Sequence, residues 1–145
     1  MLKGASMRRL QFLALAALAL GAATVWGADI KVIANSSVGA SSVSSDELKG
    51  VFLATKSSLS DSSHVEPVLL KSGPVHEAFL KDYMGKSESA LETYYRSLVF
   101  TGKGSMPKTF ATDAEVVAYV EKTKGAIGYV GSATATTTAK VLEVK

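Results

Sequence analysis

Apolar positions repeat with two different periods along residues 29–145, and the changes of period mark out the elements. In DIKVIAN (29–35), Ile30, Val32 and Ala34 alternate with Lys31 and Ile33, the pattern of a short strand. SSVGASSVSS (36–45) carries no period and reads as a flexible connection. In SDELKGVFLAT, Leu48, Val51, Phe52 and Leu53 fall roughly on one helical face, and Ser44 with Glu47 three residues later forms a capping box. After the polar loop 56–64, VEPVLLK (65–71) is a second strand, with Pro67 placing it at an edge or at a strand start. Pro74 suits the first position of a helix whose face is Val75, Phe79, Leu80 and Tyr83, and Gly85 ends it. Ser87 opens the next helix, with Leu91, Tyr94, Tyr95, Leu98 and Val99 as its apolar residues; of the adjacent tyrosines one should face inward and one outward.

TGKGSMPKTF (101–110) is a glycine-rich basic loop leading into a brief extended piece. Thr112 and Glu115 form a second capping box before DAEVVAYVEKTK, Gly125 stops that helix, AIGYVG (126–131) is a buried strand, and VLEV (141–144) closes the chain. The predicted order is β-α-β-α-α-β-α-β-β. Strands alternating with helices imply one α/β layered domain, a mixed and mostly parallel sheet flanked by helices.

The first 28 residues follow a different rule. Lys3, Arg8 and Arg9 precede the apolar run LQFLALAALALGAATV, which is short for a membrane span and suits the core of an export signal. The small residues Gly27 and Ala28 place cleavage after one or the other, so the expected division is a signal peptide, 1–28, and a domain, 29–145, delivered to the periplasm. The charge picture changes with it. The whole chain has 16 basic and 13 acidic residues; the leader holds three of the basic ones and none of the acids, leaving 13 of each. The apparent basicity therefore gives no support for nucleic-acid binding. No cysteine is present, which excludes disulfides, thiol catalysis and cysteine-ligated metal, and leaves the fold to rest on its core.

Catalytic patterns are missing from the sequence. His64 and His76 lack ligand spacing, and no G-x-S-x-G elbow occurs. Asp46, Glu47, Asp113 and Glu115 lie in first helical turns, where the dipole favours acids without any further role. TGKGSMPK follows a helix and lacks the G-K-[ST] ending, so it is weak as a phosphate loop and ordinary as a turn. The expectation is a protein that is not an enzyme and needs no cofactor or metal. KSGPVHEAF is the exception to this plainness. A helix start offers unpaired N–H groups and the positive dipole end, Gly73 permits close approach, Ser72 adds a hydroxyl and Lys71 a charge. The same residues also serve as a simple turn and cap.

At these residues the chain resembles a known family. SSDELKGVFLAT, VLLKSGPVHEAFL, LVFTGKGSMPK and GAIGYVG, in that order, are similar to the substrate-binding component of phosphate ABC importers, a type II periplasmic-binding-protein fold, in a small single-domain version. GAIGYVG matches the family's G-x-I-G-Y-V strand, and ELKGVFLAT its L-x-x-I-F-x-G helix with Ala54 or Thr55 where glycine is usual. The family binds phosphate through a Ser-Gly-Thr at a helix start. Ser72 and Gly73 match its first two positions, Pro74 replaces the threonine, and Val68 stands where the family has an arginine. The resemblance implies binding of phosphate or a related oxyanion by Lys71, Ser72, Gly73 and Val75, with Lys103 adding charge and Asn35, Ser36 and Ser37 forming the opposing wall of one pocket. An ABC permease or another envelope protein is the implied partner. A docking module of the same fold that has lost anion binding is the competing expectation.

Overall fold

The computed structural model describes residues 29–145; the expected leader, 1–28, lies outside the described residues. Six strands and four helices follow in the order β1 (Ile30–Ala34), β2 (Ser42–Val43), α1 (Ser45–Phe52), β3 (Glu66–Leu70), α2 (Pro74–Phe79), α3 (Glu88–Phe100), β4 (Lys108–Phe110), α4 (Asp113–Lys122), β5 (Ala126–Gly131) and β6 (Lys140–Val144). α2 runs on as a wider π turn over Leu80–Met84, ended by Gly85 in the left-handed region. The strands form one sheet in the order β2-β6-β1-β5-β3-β4. Three pairings are parallel (β2 with β6, β3 with β4, β3 with β5), and β1 runs antiparallel to both β5 and β6. This is the expected mixed, mostly parallel α/β sheet, with two additions. The connection 36–45 contains β2, whose two residues are held by β6, and the helix after β3 widens into a π turn. Neither has a local signature, because a two-residue strand is made by its partner.

Local chemistry sets the helix ends. The Ser44 hydroxyl accepts the Glu47 N–H while the Glu47 carboxylate accepts the Ser44 N–H, both at 3.1 Å, and the Thr112–Glu115 pair repeats this at α4. Such caps stabilise a helix by about 1 kcal/mol each. Pro67 is at the start of an interior strand: it pairs with Ile127 of β5, and β4 joins only from Val68 onward.

The alternation of β5 distributes the core between two layers. Tyr129 faces α1 and α2, stacking on Phe79 at 3.8 Å between ring centroids with Phe52 at 5.9 Å. Gly128 faces the other way, where a Cβ would stand 3.0 Å from Val68 and 3.1 Å from Val116, so α4 sits close on that face. Tyr95 of α3 is buried and donates to the Phe52 carbonyl at 2.5 Å, while half-buried Tyr94 donates to the Leu53 carbonyl at 2.6 Å, dividing the tyrosine pair between core and surface as expected.

Candidate functional site

The carboxyl ends of β3 and β4 lie side by side, with Leu70 opposite Phe110, and the chain leaves them in opposite directions. From β3 it enters α2 on the Tyr129 face, and from β4 it enters α4 on the Gly128 face. Two helix starts therefore flank one point on the sheet rim, the position where open α/β sheets form a crevice. Lys71 ties the two strands by donating its N–H to the Phe110 carbonyl at 2.8 Å.

The two helix starts are not equivalent. The α4 start is occupied by its own capping box, and Asp113 accepts the Gly131 N–H at 2.9 Å and the Thr134 hydroxyl at 2.7 Å. The α2 start has no side-chain cap. Its first backbone bond runs from Glu77 N–H to the Gly73 carbonyl at 3.0 Å, so the N–H groups of Val75 and His76 lie ahead of it, and Pro74 contributes none. Gly73 adopts φ 104 and ψ 173, a conformation nearly closed to other residues, and no atom lies within 4 Å of where a Cβ would be. Ser72 is exposed beside it. A cation that sequence reasoning passed over stands at the same rim: Lys31 of β1, whose ammonium donates to the Thr134 carbonyl at 2.6 Å. Its place was hidden because only the antiparallel register, Lys31 opposite Val130, brings it there.

That register also separates the expected site. Lys71, Ser72, Gly73 and Val75 are together, but Asn35, Ser36, Ser37 and Lys103 are not with them. β5 runs parallel to β3, and β1 runs antiparallel to β5, so the end of β1 lies beside the start of β3. Asn35 N–H bonds to Ala126 and Glu66 N–H to Gly125, at the opposite rim from Ser72 and about 16–20 Å away at the usual rise per residue. Asn35 is committed to structure there: its amide donates to the Val120 and Glu121 carbonyls at 2.8 and 3.1 Å, and its oxygen accepts the Ser37 N–H at 2.9 Å. The Ser37 hydroxyl accepts the Gly125 N–H at 3.0 Å, and Ser36 is exposed nearby. Lys103 lines a groove of about 550 Å³ with His64, Glu66 and Pro67, again at the start of β3. The shared pocket expected for Asn35–Ser37 and the Ser72 turn therefore does not form. Val68, at the position of the family's arginine, is fully buried against Gly128.

His76 secures the α2 start from below. It is 4% exposed, and its Nδ1 meets the Tyr129 hydroxyl at 2.5 Å while that hydroxyl accepts the Leu70 N–H at 3.2 Å. Satisfying all three groups requires Tyr129 to donate to Nδ1, which puts the imidazole proton on Nε2. Burial holds His76 below its ordinary value of 6.5 and pushes the Tyr129 hydroxyl up, so both are neutral at pH 7. An unfolded chain takes up this proton more readily than the folded one, so the stability that His76 contributes is complete above pH 6.5 and is lost as the pH falls through its depressed folded value. Urea midpoints of the native protein should thus decline between pH 7.5 and 5.5 more steeply than those of His76→Phe. Parallel declines would show that His76 does not carry the acid sensitivity.

No protein-family model matches the chain, and no curated protein matches it in sequence. Solved structures match it in fold. A phosphate ABC transporter substrate-binding protein of Clostridium perfringens, solved with bound phosphate, aligns over 81% of this chain with a TM-score of 0.64 and 12% identity. An ABC-type phosphate transport receptor of Vibrio cholerae gives 0.62 over 81% at 10% identity, and PstS of Borrelia burgdorferi 0.61 over 84% at 12%. The chain spans 45, 46 and 49% of those three structures, under half of each. At such identities the likeness establishes the type II periplasmic-binding-protein-like fold.

Proposed function

We propose that the chain is an exported, non-enzymatic solute-binding-like protein, with residues 1–28 as a removable signal peptide and residues 29–145 as a periplasmic domain that binds phosphate or a related oxyanion. The anion sits at the α2 start. The Val75 and His76 N–H groups and the Ser72 hydroxyl donate to it, Gly73 gives it room, and Lys71 supplies charge. The observation that carries this reading is the uncapped helix start beside an unhindered Gly73, at the rim where two helices diverge. The fold shared with phosphate-transport proteins supports it, as does the Ser72-Gly73 match within that fold. The permease of an ABC importer is the partner class this implies.

The affinity should be low. The site is built from one lobe and remains open to water, and each exposed helix-terminus interaction contributes about 0.3–1 kcal/mol. Calorimetric titration of residues 29–145 should detect phosphate in the millimolar range. Ser72→Ala combined with Lys71→Ala should weaken it about 3- to 30-fold, the effect of removing two such interactions. Absence of binding at tens of millimolar phosphate would overturn the reading, and undiminished binding by the double variant would move the site elsewhere. Sulfate and arsenate titrated alongside define the anion. Burial of Val68 and the missing N–H of Pro74 favour the second reading, a docking module of the same fold without a working anion seat.

A further inference from the structure

Beneath Lys71, on the Tyr129 face of the sheet, β3 and α3 border a half-open cavity of about 320 Å³. Ser72, Gly73 and Val75 do not line it; it shares with the proposed anion seat only Lys71 and His76, the latter through its ring where the anion would use its backbone N–H. Its walls are largely apolar: Leu69 and Leu70 from β3, Leu91 and the Tyr95 ring from α3, and Met106 at the side. The volume is at the lower end of small-molecule sites, roughly 300–1,000 Å³. An apolar cavity alone would be a packing defect, but this one contains a buried polar group. His76 lines it, 4% exposed, with Nδ1 taken by Tyr129 and with Nε2 lacking a hydrogen-bond partner among the described residues. A buried N–H left unpaired is destabilising, and an acceptor brought by a ligand removes that penalty. The charges at the mouth do not select an ion. Lys71 and Glu88 are of opposite sign, and Glu92 is already paired with Arg96 at 2.8 Å.

We propose that this cavity is a binding site for a small, uncharged, largely apolar molecule bearing one hydrogen-bond-accepting oxygen, which receives the Nε2–H of His76 while its apolar body packs on Leu69, Leu91 and Met106. The Tyr95 hydroxyl takes no part, since it donates to the Phe52 carbonyl at 2.5 Å. The imidazole works here as a neutral donor fixed in one tautomer by Tyr129, so the recognised oxygen is a carbonyl or ether in place of an anion.

Two probes of nearly equal shape test it by NMR on residues 29–145. Acetophenone carries the acceptor, and ethylbenzene does not. Acetophenone should shift the His76 ring nitrogens and the Met106 methyl saturably at low millimolar concentration, with ethylbenzene binding about tenfold or more weakly, the discrimination of a site with a buried donor. Leu91→Trp, which fills the cavity, should abolish the shifts while the Asn35 and Gly125 amide signals stay in place. Equal affinities for the two probes would remove the role of His76. Shifts that never saturate, or that persist in Leu91→Trp, would overturn the site. The probe comparison needs no variant, so it stands even if Leu91→Trp fails to fold. Ser72→Ala should leave acetophenone binding unchanged, which keeps this test apart from the phosphate titration.

Discussion

Phe79→Ala is expected to lower the unfolding free energy by about 3–5 kcal/mol, the usual cost of emptying a buried aromatic site. Phe79 is fully buried and makes two geometrically specific contacts, a parallel stack on Tyr129 at 3.8 Å and an edge contact on Phe52 at 4.9 Å. Those rings join α1, α2 and β5, so the cavity would open at the junction of three elements, where little can move in to fill it. Domains of this size are stable by about 5–15 kcal/mol, so the variant should retain a fold only marginally. Urea unfolding should show a midpoint lower by about 2 M, taking a slope of about 2 kcal/mol per M. Phe100 is the internal control: it is 91% exposed, and Phe100→Ala should stay within about 0.5 kcal/mol of the native protein. A Phe79→Ala effect of under about 1 kcal/mol would show that the stacked rings are not the centre of the core.

Gly125→Ala should cost about 2–4 kcal/mol through backbone strain. Gly125 sits at φ +77, and a Cβ there would stand 2.8 Å from the His64 carbonyl oxygen, an atom fixed in the backbone. The surrounding hydrogen bonds leave no room to yield: the Gly125 carbonyl accepts the Glu66 N–H at 2.9 Å and its N–H donates to Ser37 at 3.0 Å. Relief of the clash would have to pull β5 from β3 at their first paired residues. Gly73→Ala supplies the contrast, since Gly73 also has positive φ but no neighbour within 4 Å, so only the conformational part of the cost applies. Thermal unfolding of the two variants should rank Gly125→Ala as the less stable. The reverse order would mean that the clash with His64 is relieved by a small local shift.

Most of the elements were legible because local chemistry makes them. The capping boxes at Ser44 and Thr112, Pro74 at a helix start, and Gly85 and Gly125 at helix ends all occur where pattern and turn chemistry place them. β2 and the π turn were not legible, since the first exists only by pairing with β6 and the second is a change of hydrogen-bond spacing inside a continuous apolar pattern. For the candidate site, the contiguous part Lys71–Val75 could be read from one stretch of chain. The distant part could not. Strand direction decides which loops share a rim, and nothing within residues 29–35 records that β1 runs against β5. Placing Asn35 and Ser72 on one rim required a parallel pairing, and the antiparallel one moved Lys31 there instead.

The position of β6 has a consequence for the order of events during synthesis. The last strand lies between the first two, with Val32 opposite Leu142 and Ser42 opposite Glu143, and the Ser45 N–H bonds to the carbonyl of Lys145. A chain growing from its amino end cannot join β2 to the sheet, or close the edge of β1, until residues 140–144 have been made. Contacts this distant along the chain form late, after their loop entropy has been met. The sheet should therefore close late, with β2 and the outer edge of β1 left unpaired until residues 140–144 dock between them.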